Sequence, residues 1–246
     1  MDKLALRQLS YGLYLVTTAF EGQKAGYVAN TVFQVTSAPP MIAISCHKDN
    51  YTLEPLLKSG VFAVSVLSKA CPAGLIGTFG YMSGKETDKF SGIKTSIKST
   101  GVPVVTDSCI AWFECRVEKT LDLGTHLLIT GLVVDSGMLS GEEPLTYDLY
   151  RNTYKLSSPR NAPTYLENDK PGSAETTTAK EVERVGAKPD PEDNEPYICM
   201  ICGHVYRPEE GDPSEGIPPG TPFSDLPEEY RCPICNAGKD YFKPLQ

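Results

Sequence analysis

Two stretches near the end of the chain decide its fold: YICMICGHVY at residues 197–206 and YRCPICNAGKDYF at residues 230–242. Each contains a Cys-x-x-Cys pair, Cys199 and Cys202 in the first and Cys232 and Cys235 in the second, with 29 residues between the pairs. A Cys-x-x-Cys turn can point both sulfurs at one ion, and two facing turns make a closed tetrahedral site. Four thiolates in that geometry select zinc or iron. The pattern therefore predicts that these four cysteines bind one metal ion.

The residue after each pair suits left-handed backbone. Gly203 follows the first pair and Asn236 the second. Glycine has no Cβ to clash in that conformation, and Asn is among the few other residues that tolerate it. Such a turn directs backbone N–H groups at the sulfurs, and those hydrogen bonds tune the reduction potential of a bound metal.

Residues 197–242 resemble a rubredoxin. The resemblance is carried by the Y-x-C-x-x-C-G-x-x-Y opening, the G-I-x-P-G-T-P-F-x-D-L-P centre and the C-P-x-C-x-x-x-K-D-x-F close. Tyr230 stands where the family usually has Trp, and Asn236 where it usually has Gly. The resemblance implies a rubredoxin domain, placed here at residues 195–246, that holds one iron ion as Fe(Cys)4.

The alternative is a structural zinc ribbon, which thiolate geometry alone does not separate from an iron centre. Zinc ribbons usually place about 15–20 residues between their pairs, and this gap is longer. An ion held by four thiolates has no open coordination position. As an iron centre it passes one electron at a time and binds no substrate.

The net charge of −8 is unevenly distributed. Residues 1–156 hold 14 acidic and 14 basic side chains, residues 157–194 hold 8 and 5, and residues 195–246 hold 9 and 4. This acidic excess argues against nucleic acid as a partner and is compatible with docking to a basic rim, although it equally serves solubility. No apolar run reaches the ~18–20 residues of a membrane span and no secretory signal is recognisable, so we expect a cytoplasmic protein that does not enter a membrane.

Residues 1–156 predict a mainly β domain with short helices. Runs rich in β-branched and aromatic residues alternate with turn residues, which favours an antiparallel barrel. The predicted strands are Gly12–Phe20, Ala25–Thr36, Met41–Cys46, Val61–Leu67, Ile110–Leu121 and Thr125–Asp135. Short helices are predicted at Thr52–Lys58 and Pro72–Gly77.

Three polar features interrupt the apolar pattern of this domain. Asn30 and Thr31 lie inside a predicted strand, residues 45–52 join a strand to a helix, and residues 80–90 form a Gly-containing loop with Lys85 and Lys89. Such a strand–helix junction offers N–H groups to a phosphate. Each feature alone is also explained by an ordinary cap or a solvated loop.

Taken together, these features resemble the flavin reductase-like FMN-binding split-barrel proteins over residues 5–156. The matching segments are GYVANTVFQVTSAPPMIAIS, GTHLLITGLV and PLTYDLYRNTYKL. The resemblance implies a six-stranded Greek-key barrel, a homodimer and FMN near the subunit interface. The residues implied to line the isoalloxazine and ribityl chain are Asn30, Thr31, Ser45, Cys46, His47 and Lys48, and those near the phosphate are Asn50, Thr52 and Lys89.

His126 matches the family's histidine and is the candidate catalytic residue, placed where the nicotinamide approaches. A satisfied histidine of the barrel is the alternative, since hydride transfer from NAD(P)H to flavin is mostly cofactor chemistry. Thr125 stands where the family usually has Asp. Three further cysteines, Cys71, Cys109 and Cys115, match no metal spacing and predict buried thiols.

Residues 157–194 predict a flexible linker. The segment is poor in large apolar residues and rich in Pro, Thr and charge. At about 5–6 Å × √n, its root-mean-square span is roughly 35 Å, which lets the metal domain reach the flavin of its own chain, that of a dimer partner, or a third protein.

The domain combination resembles the high-molecular-weight rubredoxins. It implies an oxidoreductase that passes electrons from NAD(P)H through FMN to Fe(Cys)4 and on to an acceptor, a flavodiiron protein that reduces nitric oxide or dioxygen. Two alternatives stay open: a flavin reductase that releases reduced flavin and has a structural metal module, and an electron carrier without a nicotinamide site.

Overall fold

The computed structural model describes residues 3–154, 158–159, 161–165 and 195–245. Its strands are β1 Tyr14–Phe20, β2 Gln23–Ala29, β3 Val32–Ser37, β4 Pro40–His47, β5 Val61–Leu67, β6 Thr95–Ile97, β7 Pro103–Val105, β8 Cys109–Asp122, β9 His126–Met138, β10 Tyr197–Cys199, β11 Val205–Tyr206 and β12 Phe242–Pro244. Its α-helices are α1 Leu53–Ser59, α2 Ala73–Gly80 and α3 Tyr147–Tyr154. Short 3-10 turns lie at Lys3–Gln8, Pro213–Glu215, Phe223–Asp225 and Lys239–Tyr241.

One seven-stranded antiparallel sheet forms the first domain, in the order β2-β1-β5-β8-β9-β4-β3. Strands β2 and β3 follow each other in the chain but lie at opposite ends of this order, so the sheet must curl on itself. The curled sheet encloses a core that includes Val16, Ile44, Leu56, Phe62 and Ile129, each buried. The prediction of a mainly β split barrel with few helices is confirmed.

The prediction of one strand over Ala25–Thr36 is wrong. The chain bends at Asn30 and Thr31, which separate β2 from β3. Before the bend Ala29 pairs with Tyr14 of β1, and after it Val32 pairs with Ile44 of β4. The polar pair is therefore the point where the chain changes partner strand, and it gives the sheet seven strands where six were expected.

The helices follow the sheet connections. Helix α1 ends at Gly60, whose positive φ of 67° provides a left-handed C-cap. Helix α2 starts after Pro72 as predicted but continues to Gly80. Helix α3 was not predicted. None of the helices in the described part of the chain combines the length and the apolarity needed to cross a membrane.

The metal module, residues 195–245, is a three-stranded sheet in the order β11-β10-β12 with long connecting loops. The core of this module is aromatic, because the rings of Tyr206, Phe223, Tyr230 and Phe242 are buried against one another. Tyr197 stacks on Phe223 with ring centroids 4.1 Å apart. A module this small cannot build a large core, so the ion expected between its cysteines is a main source of stability.

The predicted linker lies mostly outside the described residues. Its described residues, 158–159 and 161–165, pack against the first domain. Ser158 is buried beside the hydroxyl of Tyr147, and Thr164 accepts a hydrogen bond from Asn30.

Candidate functional site

The four predicted ligands converge in the metal module. Their sulfur atoms all lie within 4.8 Å of one another, with Sγ–Sγ distances of 3.7 Å for Cys199–Cys235 and 3.5 Å for Cys202–Cys232. Four ligands at the usual metal–sulfur distance of about 2.3 Å stand about 3.8 Å apart at the corners of a tetrahedron. The sulfurs are too far apart for disulfides, whose bond is about 2.05 Å. The cluster therefore fits one tetrahedral ion.

The turns that hold the sulfurs have the predicted left-handed residues. Gly203 has φ 75° and Asn236 has φ 65°. Their amides donate to the carbonyls of Cys199 and Cys232, which closes each turn. Hydrogen bonds among the four thiols lower the pKa of Cys199 and Cys202 and raise that of Cys232 and Cys235. Metal binding requires all four as thiolates, so it releases the protons that the cluster otherwise shares.

A separate, narrow cavity of about 70 Å³ lies in the first domain, between the barrel and residues 158–159 and 161–164. Among the residues predicted to contact flavin, the structure brings Asn30, Ser45, His47 and Asn50 together in its wall. Its apolar side includes Leu13, Val28 and Ile76. A mostly apolar cleft with a few convergent polar groups is typical of cofactor sites, which usually enclose ~300–1,000 Å³. The side chains present therefore suit a flavin ring in their chemistry, whereas the cavity as it stands is smaller than such a site.

His47, in the wall of this cavity, contacts a second histidine, His126. His126, the first residue of β9, pairs with His47 of β4, and their rings make an edge contact at 4.8 Å. Nδ1 of His126 lies 2.9 Å from the Thr125 hydroxyl, whereas its buried Nε2 has no hydrogen bond within the described part of the chain. Burial lowers the pKa of His126, the backbone of Asn161 opposes that shift, and His47 adds to it. The lowered pKa favours the neutral form of the His126 ring at pH 7, and the backbone of Asn161 lies beside that ring.

Several predicted flavin contacts lie outside the cavity wall. Cys46 is fully buried in the barrel core, and burial raises the pKa of its thiol to about 12. Lys48 forms an ion pair with Asp122 at 2.7 Å. The Thr31 hydroxyl donates to Asn30, and Thr52 is buried at the start of α1. These residues adjoin the cavity residues in sequence, but their roles toward flavin stay predictions.

The predicted phosphate site is a tight turn at Asn50. The side-chain oxygen of Asn50 accepts from the Thr52 amide at 2.9 Å, and its carbonyl accepts from the Leu53 amide at 2.9 Å. Two amides at the start of α1 are thus already used within the turn. Phosphate binding at Asn50 and Thr52 also stays a prediction.

Lys89 lies in a buried position at the end of the predicted loop. Its Nζ donates to the carbonyls of Gly26 and Phe79, both at 3.0 Å, and so ties the loop to β2 and to the end of α2. Burial lowers the pKa of this amine to about 8. Lys89 also borders a second cavity, described below. Its observed contacts are structural, whereas its proximity to a phosphate is still untested.

Replacing Lys89 with methionine tests this assignment through the pH dependence of stability. The folded-state pKa of about 8 lies below the ordinary 10.5. Burial therefore destabilises the folded protein as long as the amine is charged, and this cost is fully present below about pH 8. The free energy of unfolding rises as the pH increases from about 8 to 10.5, because the folded protein loses this proton before the unfolded chain does. Between pH 7.5 and 9.5, the free energy of unfolding of the wild-type protein should rise by about 1–2 kcal/mol more than that of Lys89→Met. Urea unfolding at both pH values measures this difference. An equal difference at both pH values would contradict this.

The three remaining cysteines of the first domain are buried thiols, as predicted. Cys71, Cys109 and Cys115 are each buried, and desolvation raises the pKa of each thiol to about 12. They are therefore poor nucleophiles.

Sequence reasoning missed the aromatic and backbone wall of the cavity. Tyr27, Tyr81, Tyr147 and Tyr150 line it, and residues 158–159 and 161–164 cover it. The hydroxyls of Tyr81 and Tyr150 are 3.2 Å apart. The i, i+3 spacing of Tyr147 and Tyr150 was visible in the sequence as a helical signal. Tyr81 lies in the Gly-containing loop predicted at residues 80–90, but no local signal distinguished its ring from the rest of that loop.

A second cavity, of about 760 Å³, joins the first domain to the metal module. Tyr27, Asn50 and Tyr81 line both this space and the cavity described above. Its opposite wall belongs to the metal module and consists of Cys232, Pro233, Ile234 and Asn236. The second Cys-x-x-Cys turn therefore faces the residues predicted to hold flavin.

Family models match both parts of the chain. The flavin reductase like domain matches residues 6–155, more than half of the chain, and the rubredoxin model matches residues 196–242. The chain belongs to the flavin reductase like family and carries a rubredoxin domain at its C-terminal end. It is a flavin-dependent type of oxidoreductase with an iron-binding four-cysteine site.

Comparison with individual proteins shows which members of this class the chain resembles. The chain is 42% identical over 246 residues to the high molecular weight rubredoxin of Moorella thermoacetica, covering 100% of both chains. It is also 44% identical over 168 residues to a ferric-chelate reductase (NAD(P)H) of Archaeoglobus fulgidus, covering 68% of this chain and 99% of that one. Flavin reductase HpaC complexed with NADP+ is a structural neighbour, with TM-score 0.52, 26% identity and coverage of 59% and 90%.

Proposed function

We propose that the chain carries electrons from NAD(P)H through FMN to Fe(Cys)4 and on to an acceptor protein. One observation supports the conduit above all: the cavity whose walls come from both the predicted flavin residues and the second Cys-x-x-Cys turn. A structural metal module needs no such opening. An electron carrier does, because the donor and the acceptor groups must approach each other.

The cavity residues are assigned to holding and orienting FMN. Asn30 and Ser45 offer hydrogen-bonding groups at the strand ends, Asn50 lies at the bend before α1, and Tyr27 and Tyr81 offer aromatic faces. FMN supplies acceptance of a hydride and release of single electrons. The protein's contribution is orientation and exclusion of water from the reacting face.

His126 and His47 are assigned to the side where the nicotinamide enters. The lowered pKa of His126 keeps its ring uncharged at neutral pH, so it can donate or accept one hydrogen bond through Nε2. The NAD(P)H of the ferric-chelate reductase and the NADP+ of the HpaC complex support a nicotinamide donor for this chain.

The four cysteines provide a closed coordination shell. Cys199, Cys232 and Cys235 are fully buried and Cys202 is half-buried, so no ligand position is left for a substrate. The centre is therefore assigned to moving one electron at a time.

The acceptor is proposed to be a flavodiiron protein that reduces nitric oxide or dioxygen. This follows from the resemblance to high-molecular-weight rubredoxins and from the acidic metal module, which suits a partner with a basic rim. A homodimer is also proposed. Exposed apolar side chains on β3 and on the β8–β9 hairpin support it, namely Phe33, Val35, Leu121 and Leu123. Light scattering at the mass of one chain would contradict the dimer.

The first test is an anaerobic titration of iron- and FMN-loaded protein with NADH and NADPH. We expect either nicotinamide to bleach both chromophores without added protein. The specific alternative is a flavin reductase that releases reduced flavin, favoured by the ferric-chelate reductase likeness. In that case a chain truncated after residue 189 would deliver electrons to the acceptor as fast as the full chain. Bleaching of FMN alone, with iron left oxidised, would overturn the conduit.

A further inference from the structure

Helix α2 of the first domain and the first Cys-x-x-Cys turn of the metal module touch through their backbones. A Cβ placed on Gly77 would lie 2.8 Å from the carbonyl carbon of Ile201 and 2.9 Å from its Cα, and closer still to its oxygen. Real Cβ atoms essentially never approach backbone so closely. Gly77 is therefore the residue that permits this approach, and any side chain there would force the two domains apart.

The contact is part of a continuous apolar interface. One buried cluster runs from Ile76 and Phe79 of α2 to Ile201, which is 1% exposed, and on to Phe223 in the core of the metal module. Met82, just after α2, lies 3.8 Å from where a Cβ on Gly203 would stand. An interface with a buried apolar centre is typical of a specific docking surface rather than of a chance encounter.

The contact between α2 and the metal module brings the metal-binding cysteines close to the cavity predicted to hold flavin. Tyr81 follows α2 directly and lines both cavities, and the wall opposite it in the larger one includes Cys232. The buried hydroxyl of Tyr81 lies 3.2 Å from that of Tyr150, which holds the ring in place. Helix α2 thus positions the metal module on one side and ends at the flavin cavity on the other.

We infer that the Gly77 face of α2 is the docking site at which the metal module receives electrons from the flavin of its own chain. The inference rests on the proposed function and adds the route, which is within the chain. In each transfer ferric iron is reduced to ferrous and the reduced flavin loses one electron. The two electrons of one hydride need two transfers, with the acceptor protein reoxidising the iron between them and the flavin proton leaving to solvent.

Two alanine variants of α2 separate docking from helix stability. Gly77→Ala places a methyl group against Ile201, whereas a Cβ on Gly74 meets nothing within 4 Å. Both changes raise helix propensity by a similar amount, about 1 kcal/mol, so neither weakens α2 itself. Gly74→Ala is therefore the matched control, and the pair Gly77→Leu and Gly74→Leu repeats the comparison with a larger side chain.

The readouts are small-angle X-ray scattering of the full chain and single-turnover reduction followed at the flavin and iron bands. Gly77→Ala should increase the radius of gyration and slow iron reduction about 10-fold or more, the scale of an overpacked contact, with flavin reduction by NADH unchanged. Gly74→Ala should match wild type in every measurement. The wild-type iron rate should not change with protein concentration.

Two results would overturn the docking inference alone. The first is a Gly77→Ala chain whose scattering and iron reduction match those of Gly74→Ala. The second is a wild-type iron rate that rises in proportion to protein concentration, which would show transfer between molecules. A wild-type protein that never reduces its iron would instead overturn the proposed function, and the scattering of the Gly77 and Gly74 variants would still report whether the module docks on α2.

Discussion

Replacing Cys235 with serine is expected to remove the iron and unfold the metal module. Cys235 is fully buried and its sulfur lies 3.7 Å from that of Cys199, so no other described side chain can replace it. The strands of this module have only two or three residues, and its core is small. For sites of this type metal binding is folding free energy, of the order of 10 kcal/mol. Iron per chain should fall close to zero, together with the visible band of the centre.

The control for this variant is Cys115→Ser. Cys115 is equally buried but lies in the barrel core, away from the metal cluster. It should keep full iron content, and any loss of stability should appear in the first domain. Flavin reduction by NADH should survive in Cys235→Ser. A Cys235→Ser chain that still holds one iron with an unchanged spectrum would show that the four-cysteine assignment is wrong.

Replacing Val28 with tryptophan is expected to abolish flavin binding. Val28 lies on β2, pairs with Leu15 and is half-buried in the wall of the smaller cavity. An indole at this position fills space that a flavin ring requires, and overpacking on this scale costs about 3 kcal/mol, or roughly 100-fold in affinity. Fluorescence titration with FMN and flavin content after desalting measure the loss.

Val134→Trp is the matched control for that experiment. Val134 also lies on a strand, β9, but is 38% exposed and borders neither cavity. It should bind FMN like wild type. Far-ultraviolet circular dichroism and urea unfolding report the fold of the first domain in both variants. Unchanged FMN affinity in a natively folded Val28→Trp protein would place the flavin elsewhere.

The metal centre was predictable because its information is local. Each pair of ligands lies within four consecutive residues, and the left-handed turn after each pair is indicated by Gly203 and Asn236. Only the meeting of the two Cys-x-x-Cys turns is a long-range contact. Because a tetrahedral ion requires four ligands, the two pairs must come together around one ion. The aromatic core was predictable for a similar reason, since so short a module has few large side chains with which to build one.

The flavin cavity was only partly predictable. The strand end near Ser45 and His47 follows from alternation and turn residues in the sequence, whereas the strand end at Asn30 was missed, because Ala25–Thr36 was expected to be one strand. The partner of Lys48 does not, because Asp122 becomes its neighbour only through the pairing of β4 with β9 and of β9 with β8. The placement of Tyr81 and the cover formed by residues 158–159 and 161–164 likewise depend on tertiary packing. Composition identified that segment as linker, and composition does not reveal contacts.

The backbone contact at Gly77 also restricts which amino acids evolution can accept at this position. A chain whose metal module packs on α2 cannot accept a side chain at this position without losing that contact. Gly74, one helical turn earlier, is under no such constraint. Among flavin reductase-like chains, we therefore expect glycine at the position of Gly77 to accompany a fused rubredoxin and to drift to alanine or larger residues where the fusion is absent. The codon at this one position would then indicate, from genome sequences alone, whether the two domains of a relative dock for electron transfer.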